Sequence, residues 1–360
     1  MSLKCKAPCP LLLAVVFGLL PVALPVWAQA ERKVNKLADG VYEIQHREGS
    51  GGNTTVIIGA RQVLVVDTCF LPSAAREDIA QIRQWTDRPV TFVLNTHFHN
   101  DHNFGNRIYM DAFPAVTIIA QVETKKEMDR FGPGSLQREE KDSYGNQQAL
   151  HKMLETGKLP EGRPLSDDDK KEIDTELARL PKIIEELKGV QFQSATLTFE
   201  RGFTVDLGDR EVQLKFLGRG NTPGDAVAYL PKEKILVAGD LVDHPLPNVY
   251  DGYPSEWIHT LESLAQLDAN TIVPGHGPIL HDKTYVYLLR DLMQSAVDQV
   301  NEKLRQTAPA MFHTADDVKG SVDLTAFRQR FAGDDKDLAA AFNSVAARLV
   351  KLVFDEARLR

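Results

Sequence analysis

Three of the ten histidines of this chain lie within six residues, in the run Thr96-His97-Phe98-His99-Asn100-Asp101-His102. Imidazole and carboxylate groups are common protein ligands of zinc and related divalent cations. The run directly follows residues 90–94, an apolar stretch typical of a buried strand. Because residues i and i+2 of an extended segment point the same way, His97 and His99 can bind one ion, while Asp101 and His102, after the chain bends, address another. The spacing therefore predicts a metal site at the end of a strand.

Three later loops each carry a further candidate ligand directly after an apolar stretch. They are Gly218-Arg219-Gly220-Asn221-Thr222-Pro223-Gly224-Asp225, Gly239-Asp240 and Pro274-Gly275-His276-Gly277. Glycines in these loops let the backbone approach an ion closely. One such loop is weak evidence, because an Asp after a strand is usually a turn or cap residue. Three of them in this order after the histidine run indicate that Asp240 and His276 join the same site.

The ordered motifs resemble those of the metallo-β-lactamase superfamily of metal-dependent hydrolases, over about residues 41–281. The resemblance implies one or two zinc ions at the edge of two paired sheets, with manganese and iron as alternatives. It implies that His97 and His99 bind the first ion. It implies that Asp101, His102 and His276 bind the second ion, and that Asp240 bridges the two.

One position departs from the pattern of that family. The third ligand of the first ion is usually a histidine, and here it is Asn221. An amide oxygen is a poorer zinc ligand than imidazole, so we expect the second ion to be the more tightly held. The departure leaves three alternatives open: a two-metal enzyme, a one-metal enzyme and a non-catalytic metal-binding module.

The expected chemistry follows from the charge of the ion. A bound divalent cation lowers the pKa of its water to about 7, which gives a hydroxide nucleophile near neutral pH. We expect Asp101 and Asp240 to hold and orient that nucleophile. The sequence has no G-x-S-x-G elbow, phosphate-binding loop or dinucleotide fingerprint. Hydrolysis of an ester, thioester, lactone or amide bond is therefore predicted. A β-lactamase proper is the alternative, although similar enzymes of that activity usually carry Cys or Ser where this chain has Asp240.

Further residues are expected behind the ligands or around a substrate. By the resemblance, Asp67 matches a buried Asp that supports the metal loop, and residues 49–53 are similar to a mobile flap. The loop after Asp240 carries His244, Tyr250 and Trp257, which are predicted to line the pocket or lie just behind it. The other interpretation of Trp257 is a packing residue at the start of a helix.

The elements that must position these residues are short strands and amphipathic helices. The patterns predict helices over 73–85 and 255–267, and strands over 41–46, 54–59, 62–67, 90–94, 115–120, 197–199, 211–218, 226–230 and 234–239. Their succession indicates a layered α/β protein, and the resemblance implies a four-layer αβ/βα sandwich. Residues 31–285 are assigned to this domain and 286–360 to a C-terminal helical extension that packs on the core or forms a homo-oligomer seam. Residues 123–189, rich in Lys, Glu and Asp, read as a helical insertion, either a solvated appendage or a lid.

The first thirty residues are typical of a signal peptide. Lys4 and Lys6 precede the apolar stretch 11–26, which two prolines interrupt, and Ala28-Gln29-Ala30 is a small-x-small cleavage site before Glu31. The stretch is shorter than the roughly 20 residues that a spanning helix needs. We therefore expect a periplasmic or secreted protein without a stable membrane anchor after cleavage.

The overall composition points to a small-molecule substrate. The 42 basic and 50 acidic residues give a net charge of −8, so nucleic acid is not an expected partner. Only Cys69 lies beyond the first thirty residues, and it is predicted to be a small buried hydrophobic residue. His46 has no motif around it and is expected to be a structural or surface residue.

Overall fold

The computed structural model describes residues 32–358 except 48, 161 and 307–313. The predicted signal peptide, residues 1–30, lies outside the described residues. The strands are β1 (Lys33–Ala38), β2 (Val41–Gln45), β3 (Thr54–Ile58), β4 (Val63–Val66), β5 (Val90–Leu94), β6 (Thr117–Gln121), β7 (Leu197–Phe199), β8 (Gly202–Asp206), β9 (Glu211–Phe216), β10 (Ala226–Leu230), β11 (Ile235–Gly239) and β12 (Thr271–Pro274). The helices are α1 (Pro72–Trp85), α2 (Asn100–Asn103), α3 (Asn106–Ala112), α4 (Val122–Phe131), α5 (Ser135–Thr156), α6 (Asp167–Leu187), α7 (Pro254–Gln266), α8 (Thr284–Gln306), α9 (Asp316–Lys319), α10 (Thr325–Ala332) and α11 (Lys336–Arg358).

The strands form two sheets. Within the described residues, one sheet has the order β1-β2-β3-β4-β5-β6-β7 and the other β12-β11-β10-β9-β8. In the first sheet β1 to β4 are an antiparallel meander, and β4 to β7 run parallel. In the second sheet only β11 and β12 are a parallel pair. Because parallel strands end at the same sheet edge, the loops after β4 and β5 emerge side by side, as do those after β11 and β12.

Three apolar clusters hold the layers together. The central one joins the inner faces of the two sheets, with Leu64 and Leu94 from the first and Leu214 and Val237 from the second. A second cluster covers the outer face of the first sheet with α1 and α3. The third covers the outer face of the second sheet with α7, α8 and α11. Helix, sheet, sheet and helix therefore form four layers, and the predicted fold class is confirmed.

The edge strands β1 and β8 were not expected from the sequence. Most of their side chains are exposed or half-buried, with Val205 the one buried residue of β8. A strand that is solvated on both faces shows little apolar alternation, so pattern reading overlooks it.

The helical segments that were predicted outside the two sheets pack against the rest of the chain. Helices α5 and α6 form an apolar cluster of their own around Leu150 and Leu180, and a further cluster joins Leu136 and Ile183 to Phe104, just after the histidine run. Helix α8 and helix α11 pack on the second sheet together with α7. In the described part of the chain, none of the helices combines the length and apolarity that crossing a membrane requires.

Candidate metal centre

The histidine run leaves β5 in extended form and then enters the short helix α2. His97 is fully buried, and its Nε2 lies 3.0 Å from Nδ1 of His99. His102 is also fully buried, and its Nε2 lies 3.2 Å from Nε2 of His276, which follows β12. The run and His276 together therefore offer two pairs of neighbouring imidazole nitrogens, His97 with His99 and His102 with His276.

Two carboxylates lie among these nitrogens. Asp240, at the end of β11, places Oδ2 3.6 Å from His97 Nε2 and Oδ1 3.1 Å from His102 Nε2. Asp101 places Oδ2 3.0 Å from His276 Nε2 and 3.5 Å from His102 Nε2. Asp240 thus faces both pairs of imidazoles, and Asp101 faces only the second.

These residues fit divalent cations. Zinc–nitrogen bonds of 2.0–2.1 Å in a tetrahedron put neighbouring ligand atoms about 3.3 Å apart, close to the separations found here. Although it is 1% exposed, Asp240 receives no well-oriented hydrogen bond at either oxygen. A buried carboxylate left in this way is costly unless a cation lies beside it. Ligand-bearing groups within 4.8 Å of one another include these sets: His97, His102 and Asp240; Asp101, His102 and His276; and Asp240, Asp243 and His276.

The protonation of the cluster follows from burial and opposing charges. Burial holds the pKa of His97 well below its usual range, so this imidazole is neutral, the form that binds metal. Burial alone would raise the pKa of Asp101, but His102 and His276 outweigh it and hold that pKa well below its usual range. Burial opposes protonation of His276, yet Asp240 and Asp101 raise its pKa to about 9. Metal binding at the second position therefore displaces a proton.

Asp67 fixes the orientation of His102. Its Oδ1 accepts the Thr96 backbone N–H at 2.8 Å, and its Oδ2 accepts the Thr96 hydroxyl at 2.7 Å. The same Oδ2 lies 2.9 Å from His102 Nδ1, so the other ring nitrogen faces the cluster. A carboxylate behind a ligand imidazole fixes both its tautomer and its direction. Asp67 is itself buried and has a φ of 61°.

Two carboxylates that lie behind the ligands were not predicted from the sequence. Asp251, which is half-exposed, lies 3.1 Å from His99 Nε2 and thereby turns Nδ1 toward His97. Asp243, which is buried, accepts the His276 backbone N–H at Oδ1, at 3.1 Å. Asp243 follows β11 by only a few residues, the same signal that singled out Asp240. Asp251 carries no such signal, because it lies near the far end of the long loop between β11 and α7.

Asn221 offers an amide oxygen without a partner. Its Nδ2 donates to the Asn248 carbonyl at 2.6 Å, which fixes the amide plane. Its Oδ1 is buried and makes no hydrogen bond. Asp225 holds the loop by accepting the backbone N–H groups of Gly220 and Thr222. The oxygen of Asn221 is thus buried with its hydrogen-bonding capacity unused.

The predicted pocket residues fall into two groups. His244 and Tyr250 are partly accessible, and Tyr250 lies beneath the Arg348 guanidinium at 4.3 Å. Trp257 is fully buried, and its Nε1–H donates to the Leu241 carbonyl at 3.2 Å. A ring without exposed surface cannot contact a substrate, so the pocket-lining interpretation of Trp257 is wrong and it is a packing residue.

The glycine segment 49–53 packs tightly on the ligand loops. Gly52 N donates to the Asp101 carbonyl, and Asn53 N donates to the Gly275 carbonyl. A Cβ on Gly52 would lie 2.2 Å from Cε1 of His102, so only glycine fits at this position. The segment therefore forms a wall over His102.

Comparisons of sequence and of structure with known proteins point to the same family. A sequence model of the metallo-beta-lactamase superfamily matches residues 47–276. A linear primary-alkylsulfatase from Pseudomonas sp. is 24% identical over 260 residues, which are 67% of this chain and 44% of that protein. A type 2 metallo-beta-lactamase from Bacillus cereus is 31% identical over 113 residues, 26% of this chain and 44% of that protein. In both cases the matched segment covers less than half of the relative's own length. A metallo-beta-lactamase structure from Pontibacter korlensis shares the fold, with a TM-score of 0.52 at 18% identity, covering 73% of this chain and 99% of that one.

Proposed function

The chain belongs to the metallo-beta-lactamase superfamily of metal-dependent hydrolases, and we propose that it hydrolyses an ester, thioester, lactone or amide bond of a small molecule. The observation that carries this proposal is the convergence of His97, His102 and His276 on the buried carboxylate of Asp240, which receives no well-oriented hydrogen bond.

The ligand roles divide between two positions. His97, His99 and Asn221 would hold one cation, and Asp101, His102 and His276 another, with Asp240 between them. A bound cation of this kind lowers the pKa of water and polarises the oxygen of the scissile group. Zinc suits this mixture of imidazole and carboxylate, and the amide oxygen at the first position makes that cation the weaker bound.

Two carboxylates divide the remaining work. Asp101 is 36% exposed, so water and substrate reach it, and the low pKa of its carboxyl keeps it ionised. It can therefore accept a hydrogen bond from the attacking water at Oδ2 and hold that water in line with the scissile bond. Asp240 is 1% exposed and cannot meet substrate, so it acts by holding the imidazoles and the cations in place.

A sulfate ester is a second candidate for the bond that is cleaved. The similarity to the alkylsulfatase extends over 67% of this chain, against 26% for the Bacillus cereus metallo-beta-lactamase. A sulfate ester is opened by the same class of reaction, attack by an activated water on a polarised centre. The comparison therefore favours sulfate esters over β-lactams in a substrate panel.

The test is the metal content of the purified chain, measured by elemental analysis, together with hydrolysis of a panel. The panel contains carboxylic esters, thioesters, lactones, amides, an alkyl sulfate and a chromogenic β-lactam, each before and after addition of zinc or manganese. Hydrolysis that depends on the metal and is lost in Asp101→Asn supports the proposal. Metal binding with a silent panel would instead favour a binding module.

Export is a separate proposal, supported by the basic start, apolar stretch and small-x-small site of residues 1–30. Expression in a bacterium with two membranes, followed by fractionation and N-terminal sequencing, tests it. A periplasmic or secreted chain that begins at Glu31 supports export, and a full-length cytoplasmic chain contradicts it.

A further inference from the structure

A second set of side chains of the types that bind metals shares no residue with the candidate centre. His46 at the end of β2, Cys69 after β4 and Asp78 in α1 each bring one ligand atom into a common space, and all three are buried. The hydroxyl of Thr54, at the start of β3, borders the same space. None of these residues belongs to the ligand set described above.

The four polar atoms converge. His46 Nε2 lies 3.0 Å from Cys69 Sγ, 3.2 Å from Asp78 Oδ2 and 3.1 Å from Thr54 Oγ1. Cys69 Sγ lies 3.3 Å from Asp78 Oδ2 and 3.4 Å from Thr54 Oγ1. One nitrogen of His46 thus approaches a thiol, a carboxylate and a hydroxyl together, which is more partners than one N–H can bond well.

The surroundings suit a cation as well. The other oxygen of Asp78, Oδ1, accepts a hydrogen bond from Arg32 at 2.9 Å, which leaves Oδ2 turned to the cluster. Cys69 adopts a φ of 68°, a conformation that costs free energy for a non-glycine residue and that directs its side chain inward. Thiolate, imidazole and carboxylate together are a zinc ligand set, and their atoms in a tetrahedral site lie about 3.3–3.6 Å apart.

We propose that His46, Cys69 and Asp78 form a structural site for a divalent transition-metal ion such as zinc, with Thr54 Oγ1 beside the fourth position. Binding replaces the thiol hydrogen by the ion: the Cys69 S–H bond breaks, the sulfur keeps the electron pair and donates it to the cation, and the proton leaves to solvent. The ion and the two anionic ligands then sum to zero charge, and Arg32 remains paired with Asp78. Because the site is buried, its role is to hold β2, β3, the loop after β4 and α1 together.

Cobalt substitution tests this site without reference to activity. Thiolate bound to Co²⁺ gives a charge-transfer absorption in the near ultraviolet, whereas the candidate centre offers only nitrogen and oxygen ligands. We expect the full chain loaded with cobalt to show this band, and Cys69→Ser to lose both the band and about one equivalent of bound metal. The double variant Cys5→Ser/Cys9→Ser should keep the band, since the proposal assigns the thiolate ligand to Cys69 alone. His97→Ala should lose metal at the candidate centre and keep the band.

The opposite outcomes overturn the proposal. Absence of the band from the cobalt-loaded chain, or equal metal content in wild type and Cys69→Ser, would show that the cluster is a hydrogen-bond network only. If Cys69→Ser does not fold by circular dichroism, His46→Gln keeps the thiol and must weaken the band and lower the metal content. Because these readouts do not involve turnover, they are independent of whether the chain is a hydrolase.

Discussion

Replacement of Asp67 by Asn separates the charge behind His102 from the shape of the loop. Asp67 has a φ of 61°, and Asn is the other residue type that adopts this conformation readily, so the substitution adds little backbone strain. The change therefore acts on the hydrogen bonds of the side chain. Its two oxygens accept the Thr96 N–H, the Thr96 hydroxyl and the hydrogen at His102 Nδ1.

The amide cannot satisfy all of these donors. In one orientation its NH₂ group faces the Thr96 backbone N–H, and in the other it faces His102 Nδ1. In the first orientation the amide NH₂ group and the Thr96 backbone N–H, both donors, face each other. The second orientation favours the His102 tautomer that carries its hydrogen on Nε2, the nitrogen that faces the cluster. A hydrogen bond to a charged group is worth about 1.5–3 kcal/mol, so we expect metal affinity to fall roughly 10- to 100-fold.

The assay is competition for zinc against a chromophoric chelator, with wild type, Asp67→Asn and a matched control. Asp209→Asn is that control, because Asp209 also accepts a backbone N–H, from Ala60 at 2.6 Å, and lies on the exposed surface away from the histidines. The control should bind zinc as wild type does. An Asp67→Asn variant that folds normally and binds zinc with unchanged affinity would refute the role assigned to Asp67.

Three further predictions concern stability and metal occupancy. Burial raises the pKa of Glu43 to about 7. Its contribution to stability is therefore complete below its unfolded pKa of about 4.5 and is lost as pH rises through 7, about 3 kcal/mol in all. Denaturant unfolding at pH 5 and pH 8 should show a loss of stability that is larger in wild type than in Glu43→Gln by most of that amount, and equal pH dependence in the two proteins would contradict it. Trp257→Phe leaves the Leu241 carbonyl without its hydrogen-bond donor. The substitution should therefore lower the free energy of unfolding by about 1–3 kcal/mol without changing KM for the substrate. A raised KM at unchanged stability would restore the interpretation of Trp257 as a pocket residue. Asn221→His supplies a better zinc ligand, so the affinity for the more weakly bound zinc ion should rise in a metal titration. An unchanged affinity for that ion would remove Asn221 from the ligand set.

The ligand cluster could be predicted because its signals are local. His97, His99, Asp101 and His102 lie in one run, and the apolar stretch before them is the buried strand β5. A layered α/β protein followed from the order of strands and helices, since buried strands such as β4 and β11 are apolar at every position. The four-layer arrangement followed from the resemblance. Edge strands lack that pattern, which is why β1 and β8 were not predicted.

The remaining contacts depend on pairing between distant segments. His46, Cys69 and Asp78 are far apart in sequence and meet only because the meander folds beneath α1. Cys69 was predicted to be a buried hydrophobic residue; it is buried, and its sulfur also contacts three polar atoms. Asp251 reaches His99 through a loop that no local pattern constrains. Such partners follow from tertiary structure and not from the composition of any one segment.

The central claim is that hydrolysis depends on cations held around Asp240. The most direct measurement is the rate of hydrolysis of the best panel substrate by metal-free protein as zinc is added in measured equivalents, in wild type and in Asp240→Asn. We expect a rate near zero without metal, a rise that saturates at one or two equivalents beyond any held by Cys69, and no comparable rise in the variant. A rate that is independent of added metal, or equal in the two proteins, would contradict it.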